Sequence, residues 1–83
     1  MDILYFAWVR EQIGTDREQL DPPPEVQDVA GLIGWLATRS PGHAAAFADP
    51  ARLRAAIDQK FATLDESVVG AREIALFPPV TGG

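Results

Sequence analysis

Cysteine is absent from the 83 residues. The chain therefore holds no disulfide, no thiolate metal ligand and no thiol nucleophile. Histidine occurs once, as His43, which leaves no histidine cluster for a metal and argues against a Ser-His-Asp triad. Lysine also occurs once, as Lys60, and the net charge is −5. Nucleic-acid binding calls for a basic face, and none is visible. No apolar run approaches the ~20 residues of a membrane span. The opening Met1-Asp2-Ile3 lacks the basic segment of a secretory signal. A cytoplasmic protein is expected, away from nucleic acid and membrane. The acidic balance suits a protein partner with a basic dock and equally suits plain solubility.

What is present is a hydrophobic fraction of 47%, enough for a globular fold. A chain this short supports one small core, burying about 60–65% of its unfolded surface. The stretch around which the chain is organised is its end, Pro78-Pro79-Val80-Thr81-Gly82-Gly83. Two prolines halt the preceding strand pattern and favour extended backbone. Two glycines then end the chain without side chains, thin enough for a narrow channel. The only reactive group such an end offers is its carboxylate. We therefore divide the chain into a domain over residues 1–77 and a flexible tail over 78–83.

Asp2 to Val9 reads as a strand apolar on both faces, and Arg10 to Gly14 as a turn with Gly14 at positive φ. Thr15 to Leu20 reads as a polar edge strand completing a hairpin. Pro22-Pro23-Pro24 is a stiff spacer. Asp28 is a good N-cap for a helix whose stripe is Val29, Leu32, Ile33 and Leu36. Ser40-Pro41-Gly42 ends that helix, and His43 to Phe47 forms a second, short one, with His43 a surface or capping residue. A third strand lies within Leu53–Phe61, a short fourth around Phe61–Thr63 and a last over Arg72–Phe77. The expected core is Ile3, Tyr5, Ala7, Val9, Val29, Leu32, Ile33, Leu36, Ile57, Ile74 and Leu76. One main helix covers one face of such a sheet. Leu4, Phe6, Trp8 and Phe77 are then left together on the uncovered face, as an interaction patch.

Three stretches carry a family resemblance: Phe6-Ala7-Trp8-Val9-Arg10-Glu11 with Ile13-Gly14, Ala56-Ile57-Asp58-Gln59, and Glu73 through Gly83. Together they resemble the molybdopterin synthase small subunits along the whole chain. The run Phe-Pro-Pro-Val-Thr-Gly-Gly is the most specific part. Asp58 stands where that family usually has Asn, and Ala71-Arg72 replaces its usual Gly-Asp-Glu lead into the last strand. The resemblance implies an α+β, ubiquitin-like β-grasp fold with a mixed sheet. It also implies a sulfur carrier. An E1-like adenylating enzyme, using ATP and Mg²⁺, would activate the Gly83 carboxylate, and a sulfur donor protein would convert it to a thiocarboxylate. Gly82 and Gly83 would then enter the large synthase subunit, in a heterotetramer, to deliver sulfur to cyclic pyranopterin monophosphate. The chain itself would hold no metal or cofactor and bring no catalytic pocket. Phe6, Trp8, Arg10, Phe77, Pro78, Pro79, Val80 and Thr81 would contact the partners. For Arg10, a surface ion pair with Glu11 or another carboxylate is an equal alternative. Carriers for thiazole, cysteine or tRNA thiolation, a ubiquitin-like modifier, and a binding module with a mobile end are the other readings.

Overall fold

The first and last strands of the chain lie side by side at the centre of the sheet. β1 (Asp2–Tyr5) pairs in parallel with β5 (Glu73–Phe77), Ile3 opposite Ile74 and Tyr5 opposite Leu76. The computed structural model describes residues 1–79. β2 (Arg17–Gln19) adds to the free side of β1, antiparallel. The hairpin of β3 (Arg54–Ile57) and β4 (Lys60–Ala62) adds to β5, giving a five-stranded mixed sheet in the order β2-β1-β5-β3-β4. This is the α+β arrangement implied by the resemblance.

α1 (Ala7–Ile13) lies between β1 and β2, α2 (Val29–Leu36) follows β2, and α3 (Pro41–Ala46) leads through a short 3₁₀ turn to β3. In α2 the residues Val29, Leu32, Ile33 and Leu36 are all buried, as their spacing predicts. Asp28 caps it, its carboxylate accepting the Gly31 N–H at 2.7 Å. Asp28→Ala is expected to lower the unfolding free energy by about 1 kcal/mol, the usual worth of such a cap. Denaturant titration reads this directly, and an unchanged midpoint would show that α2 holds without its cap.

The core joins Ile3, Tyr5, Ile74 and Leu76 of the central strands to that helical stripe. Val9, Ala46, Phe47, Leu53, Ala55 and Val68 close its margins. Ala7 is exposed and Ile57 only half-buried, so neither joins the deep core expected of them.

The largest departure is after Tyr5. Where the sequence reads as a strand to Val9 and then a turn, the chain turns into α1. Ala7 takes φ +54° at the junction, a left-handed conformation that costs an alanine about 1–2 kcal/mol. Burial of Val9 and half-burial of Ile13, four residues apart, offset that strain. Gly14 ends the helix at φ +95°, its N–H bonded to the Arg10 carbonyl; this is the positive-φ role expected of it. α1 crosses α3 so closely that a Cβ on Gly42 would meet the Gln12 carbonyl oxygen at 2.4 Å. Glycine at position 42 thus permits the crossing. α1 therefore joins the main helix α2 and the expected short helix α3 on the covered face.

The third strand, within its expected bounds, ends at Ile57. Asp58 and Gln59, at φ +48° and +71°, form a two-residue turn of the kind that matches strand twist. Asp58 Oδ1 accepts the N–H groups of Arg72 and Glu73, each at 3.0 Å, tying the turn to the start of β5. Only an acceptor is required there, and a carboxylate oxygen serves as well as an amide carbonyl. The Asp58 and Arg72 departures from the family pattern therefore meet each other at one joint.

Candidate functional site

Alternation along the strands sorts the sheet into two faces. The helix-covered face takes Ile3, Tyr5, Ile74, Leu76 and Ala55. The open face carries one cross-strand row, Arg17, Leu4, Ala75, Ala56 and Phe61, each opposite the next. Phe77 lies two residues beyond Ala75 on the same face, opposite Arg54. Its ring centroid is 6.0 Å from that of Phe61. The result is a shallow apolar face with a small-residue floor of Ala56 and Ala75. Leu4 stands on one side and two phenylalanines on the other. Phe61 is 84% exposed and, with Phe77 beside it, makes the apolar surface contiguous, the feature that marks an interaction site. Arg17, ion-paired to Asp2 at 3.2 Å, marks one margin. Arg54, whose guanidinium donates to the Ala51 and Leu53 carbonyls, marks the end nearer Phe77.

The expected patch of Leu4, Phe6, Trp8 and Phe77 is thus corrected in two ways. Trp8 leaves it: on α1 it stacks against the Arg52 guanidinium, 5.1 Å from the ring centroid, and lines a 280 Å³ cleft with Gln12, Ala46 and Asp49. The cause is α1 itself, which breaks the two-residue alternation beyond Tyr5. Phe61 joins in its place. Phe6 is 47% exposed at the end of β1, its N–H bonded to the Leu76 carbonyl, and so stands abreast of Phe77. Arg10 is exposed one turn along α1 and pairs with no carboxylate among the described residues. Pro78 and Pro79 are half-buried as they leave β5. Val80, Thr81, Gly82 and Gly83, named above as the reactive end and its lead, lie outside the described residues.

Phe61 was within reach of the sequence. An Asp-Gln turn lacks the glycine that usually announces a two-residue hairpin, so the break between the third strand and the short fourth has no marker in the sequence. Placing the turn at Asp58-Gln59 sets Phe61 opposite Ala56, hence on the face of Phe77.

A second polar cluster sits on the helix-covered side. Of the two places expected for His43, surface or helix cap, the first is excluded: the residue is buried, 5% exposed. Its Nε2 lies 2.9 Å from Glu18 Oε2, which also accepts the Tyr5 hydroxyl at 2.6 Å. Ser40 Oγ lies 2.7 Å from His43 Nδ1 and also accepts the His43 N–H, capping α3. The Ser-His-Glu connectivity is that of a fastening: the serine oxygen is spent on the helix cap, and the imidazole is covered by Tyr5 and Phe47. The cluster ties α3 to β1 and β2. Burial, with the adjacent Glu18 carboxylate, pushes the Tyr5 hydroxyl up. For Glu18, partial burial acts upward. Hydrogen bonds from Tyr5 and His43, helped by His43 and Arg39 charge, outweigh it and hold the carboxyl below its ordinary value. A depressed carboxyl stabilises the fold above its unfolded pKa and loses that contribution as pH falls through the folded one. Glu18→Gln is expected to destabilise the chain by about 1 kcal/mol near neutrality. The difference should shrink as pH falls below about 4. Thermal melts from pH 7 to pH 3 check this; a gap that widens in acid would reverse the sign assigned to Glu18.

Comparison with known proteins follows this geometry. The chain matches the ThiS family over residues 3–83. It is 37% identical over 81 residues to the molybdopterin synthase sulfur carrier subunit of Escherichia coli K12, covering 98% of this chain and 96% of that one. It is 36% identical over 83 residues to the protein of the same name in Haemophilus influenzae, covering 100% and 99%. Among solved structures, a Pyrococcus furiosus protein described as a molybdopterin converting factor, subunit 1, superposes with a TM-score of 0.72 at 25% identity, over 95% of each chain. SAMP1 of Haloferax volcanii superposes at 0.71 and 24% identity, over 100% of this chain and 98% of that one, a likeness of fold. The parallel central strands, the open aromatic face and these full-length matches agree: the chain belongs to the ThiS family, among the molybdopterin synthase sulfur carrier subunits.

Proposed function

We propose that this chain carries sulfur on its terminal glycine for a molybdopterin synthase and donates it within the large subunit of that enzyme. The observation that carries the reading is the match to two sulfur carrier subunits along essentially their whole length. The chemistry asks little of the small chain. A carboxylate is a poor electrophile. Joining the Gly83 carboxylate to AMP, with release of pyrophosphate, makes phosphate the leaving group. Sulfur at the hydrosulfide level then adds to the carbonyl carbon, AMP departs and the S–H proton is lost. The product is a thiocarboxylate, an ionised sulfur nucleophile that needs no cysteine in the carrier. Two such deliveries to cyclic pyranopterin monophosphate supply the two sulfurs of the dithiolene.

The fold supports that use. β5 is a central strand, held on both sides, and it ends at Phe77 beside the open apolar face. A partner that covers Phe61 and Phe77 grips the body next to the point where the chain leaves the sheet. Pro78 and Pro79 then favour an extended lead. General acids, bases and cations for the substrate phosphate come from the large subunit. ATP and Mg²⁺ belong to the adenylating enzyme. The test is reconstitution: thiocarboxylated chain, large subunit and pyranopterin, with dithiolene formation followed. Absence of product with a competent large subunit would overturn the reading.

A further inference from the structure

Among the described residues three large apolar side chains stand exposed: Phe6, Phe61 and Val69. Phe61 belongs to the open face, and Phe6 stands abreast of Phe77 beside it. Val69, 74% exposed, lies elsewhere. It sits with Gly70 in the turn that leads into β5, at the pole where that strand begins.

Val69 lines a groove of about 370 Å³. Val68 and Gly70 join it from the same turn, and Pro22, Pro23 and Val26 from the segment before α2. No residue of the open face takes part. The two segments are tied together. The Val68 N–H donates to the Gln27 carbonyl at 2.9 Å, and Asp28 forms an antiparallel bridge with Ser67. The Val26 N–H donates to the Pro23 carbonyl, also at 2.9 Å. Proline rings fix their own φ, so the groove is formed before anything enters it, and filling it orders little. The proline run is thus a wall as well as a spacer.

Charge decides what such a groove takes. Its two segments, residues 20–28 and 63–70, hold five carboxylates (Asp21, Glu25, Asp28, Asp65 and Glu66) and no lysine or arginine. The chain has twelve acids and seven bases; with these five set apart, the remaining seven acids are matched by the seven bases. The whole excess of −5 therefore resides here. Asp21, Glu25, Asp65 and Glu66 are exposed and enter no ion pair among the described residues. Apolar surface flanked by unpaired carboxylates repels nucleic acid and anionic lipid and attracts cations.

We propose that this groove docks a basic segment of a protein partner. One apolar side chain of that segment seats against Val69 and the prolines, and lysine or arginine on either side faces Asp21, Glu25 and Glu66. Because the groove shares no residue with the open face, partners on the two surfaces can be held together. The proposal goes beyond sulfur transfer and does not rest on it.

The probe is a capped peptide, Lys-Lys-Leu-Lys-Lys, titrated into the isotope-labelled full chain and followed by amide NMR. The Val68, Val69 and Gly70 amides are expected to shift, and those of Phe61 and Phe77 to stay. Serine in place of the peptide leucine, and Val69→Ser in the chain, should each weaken binding at least ~10-fold, the worth of one apolar side chain returned to water. Val69 is exposed, so the Val69→Ser chain should melt as the parent does. Asp21→Asn combined with Glu25→Gln should also weaken binding, and glutamate in place of the peptide lysines should abolish it. Equal affinity of the leucine and serine peptides, or of Val69→Ser and the parent, would reduce the contact to unspecific charge and overturn the proposal. No shift at millimolar peptide would overturn it as well. So would movement of the same amides with chain concentration alone, which would give the groove to a second copy. A chain that docks the peptide as expected yet fails the dithiolene reconstitution would sink the proposed function alone.

Discussion

A chain ending at Gly82 is expected to melt as the full chain does and to transfer no sulfur. Among the described residues the buried core runs from Ile3 to Leu76, and a terminal glycine has no side chain to add to it. What changes is reach. Loss of one residue withdraws the terminal carbon by about 3.5 Å, and misplacement of a reacting atom by ~1 Å already costs on the order of a hundredfold in rate. The shortened chain still ends in glycine, so any loss reports position and not side-chain bulk. Intact mass after adenylation reads the first step, exchange of one carboxyl oxygen for sulfur. Dithiolene formation reads the second. Transfer retained above about 1% of the full chain's rate would mean that the terminal carbon is not held where the mechanism requires. Residues larger than glycine at positions 82 or 83 should fail for a different reason, obstruction of a narrow channel, and should fold equally well.

Elements fixed by local chemistry could be read from residues alone. Asp28 followed by the Val29-Leu32-Ile33-Leu36 stripe needs no tertiary information to become a capped helix, and it is one. Ile74 and Leu76 alternate with Glu73 and Phe77 as a strand with one buried face, and they are so placed. The misreadings share a cause. Phe6 to Val9 is apolar enough to extend β1, and no proline or glycine interrupts it. The chain turns at Ala7 into α1, which buries Val9 and packs against α3 and β5, partners far along the sequence. Propensity yields there to packing. His43 is similar: Tyr5 and Glu18 reach it from two other places in the chain, while Phe47 is one turn on at the end of its own helix. Periodicity cannot reveal such a meeting.

The candidate site divides along the same line. Its proposed chemistry, a Gly-Gly carboxylate behind two prolines, is carried by adjacent residues, so that proposal draws on no tertiary contact. Its docking face is assembled from β1, β3, β4 and β5, and depends on a hairpin register that a residue pair without glycine conceals. Phe77 was recoverable from alternation on its own strand. Phe61 required the turn, and Trp8 could be excluded only by knowing α1.

That assembled face yields the other large expected effect. Phe61→Ala combined with Phe77→Ala should weaken binding to the large subunit by about 2–4 kcal/mol, as central aromatic anchors do, or roughly 30- to 1000-fold in Kd. The single variants separate docking from folding. Phe61 is 84% exposed, so its truncation removes almost no buried surface from the free chain and should leave the melting temperature within error. Any affinity lost on Phe61→Ala is then lost at the interface. Phe77 is half-buried beside Pro78 and should lower both stability and affinity. Because the rings sit 6.0 Å apart, their contributions should couple by about 0.5–1.5 kcal/mol, so the double variant should not equal the sum of the singles. Calorimetric titration of the large subunit with all three variants measures both terms. A Phe61→Ala chain that binds as tightly as the parent would remove the open face from the interface and leave the tail to hold the complex by itself.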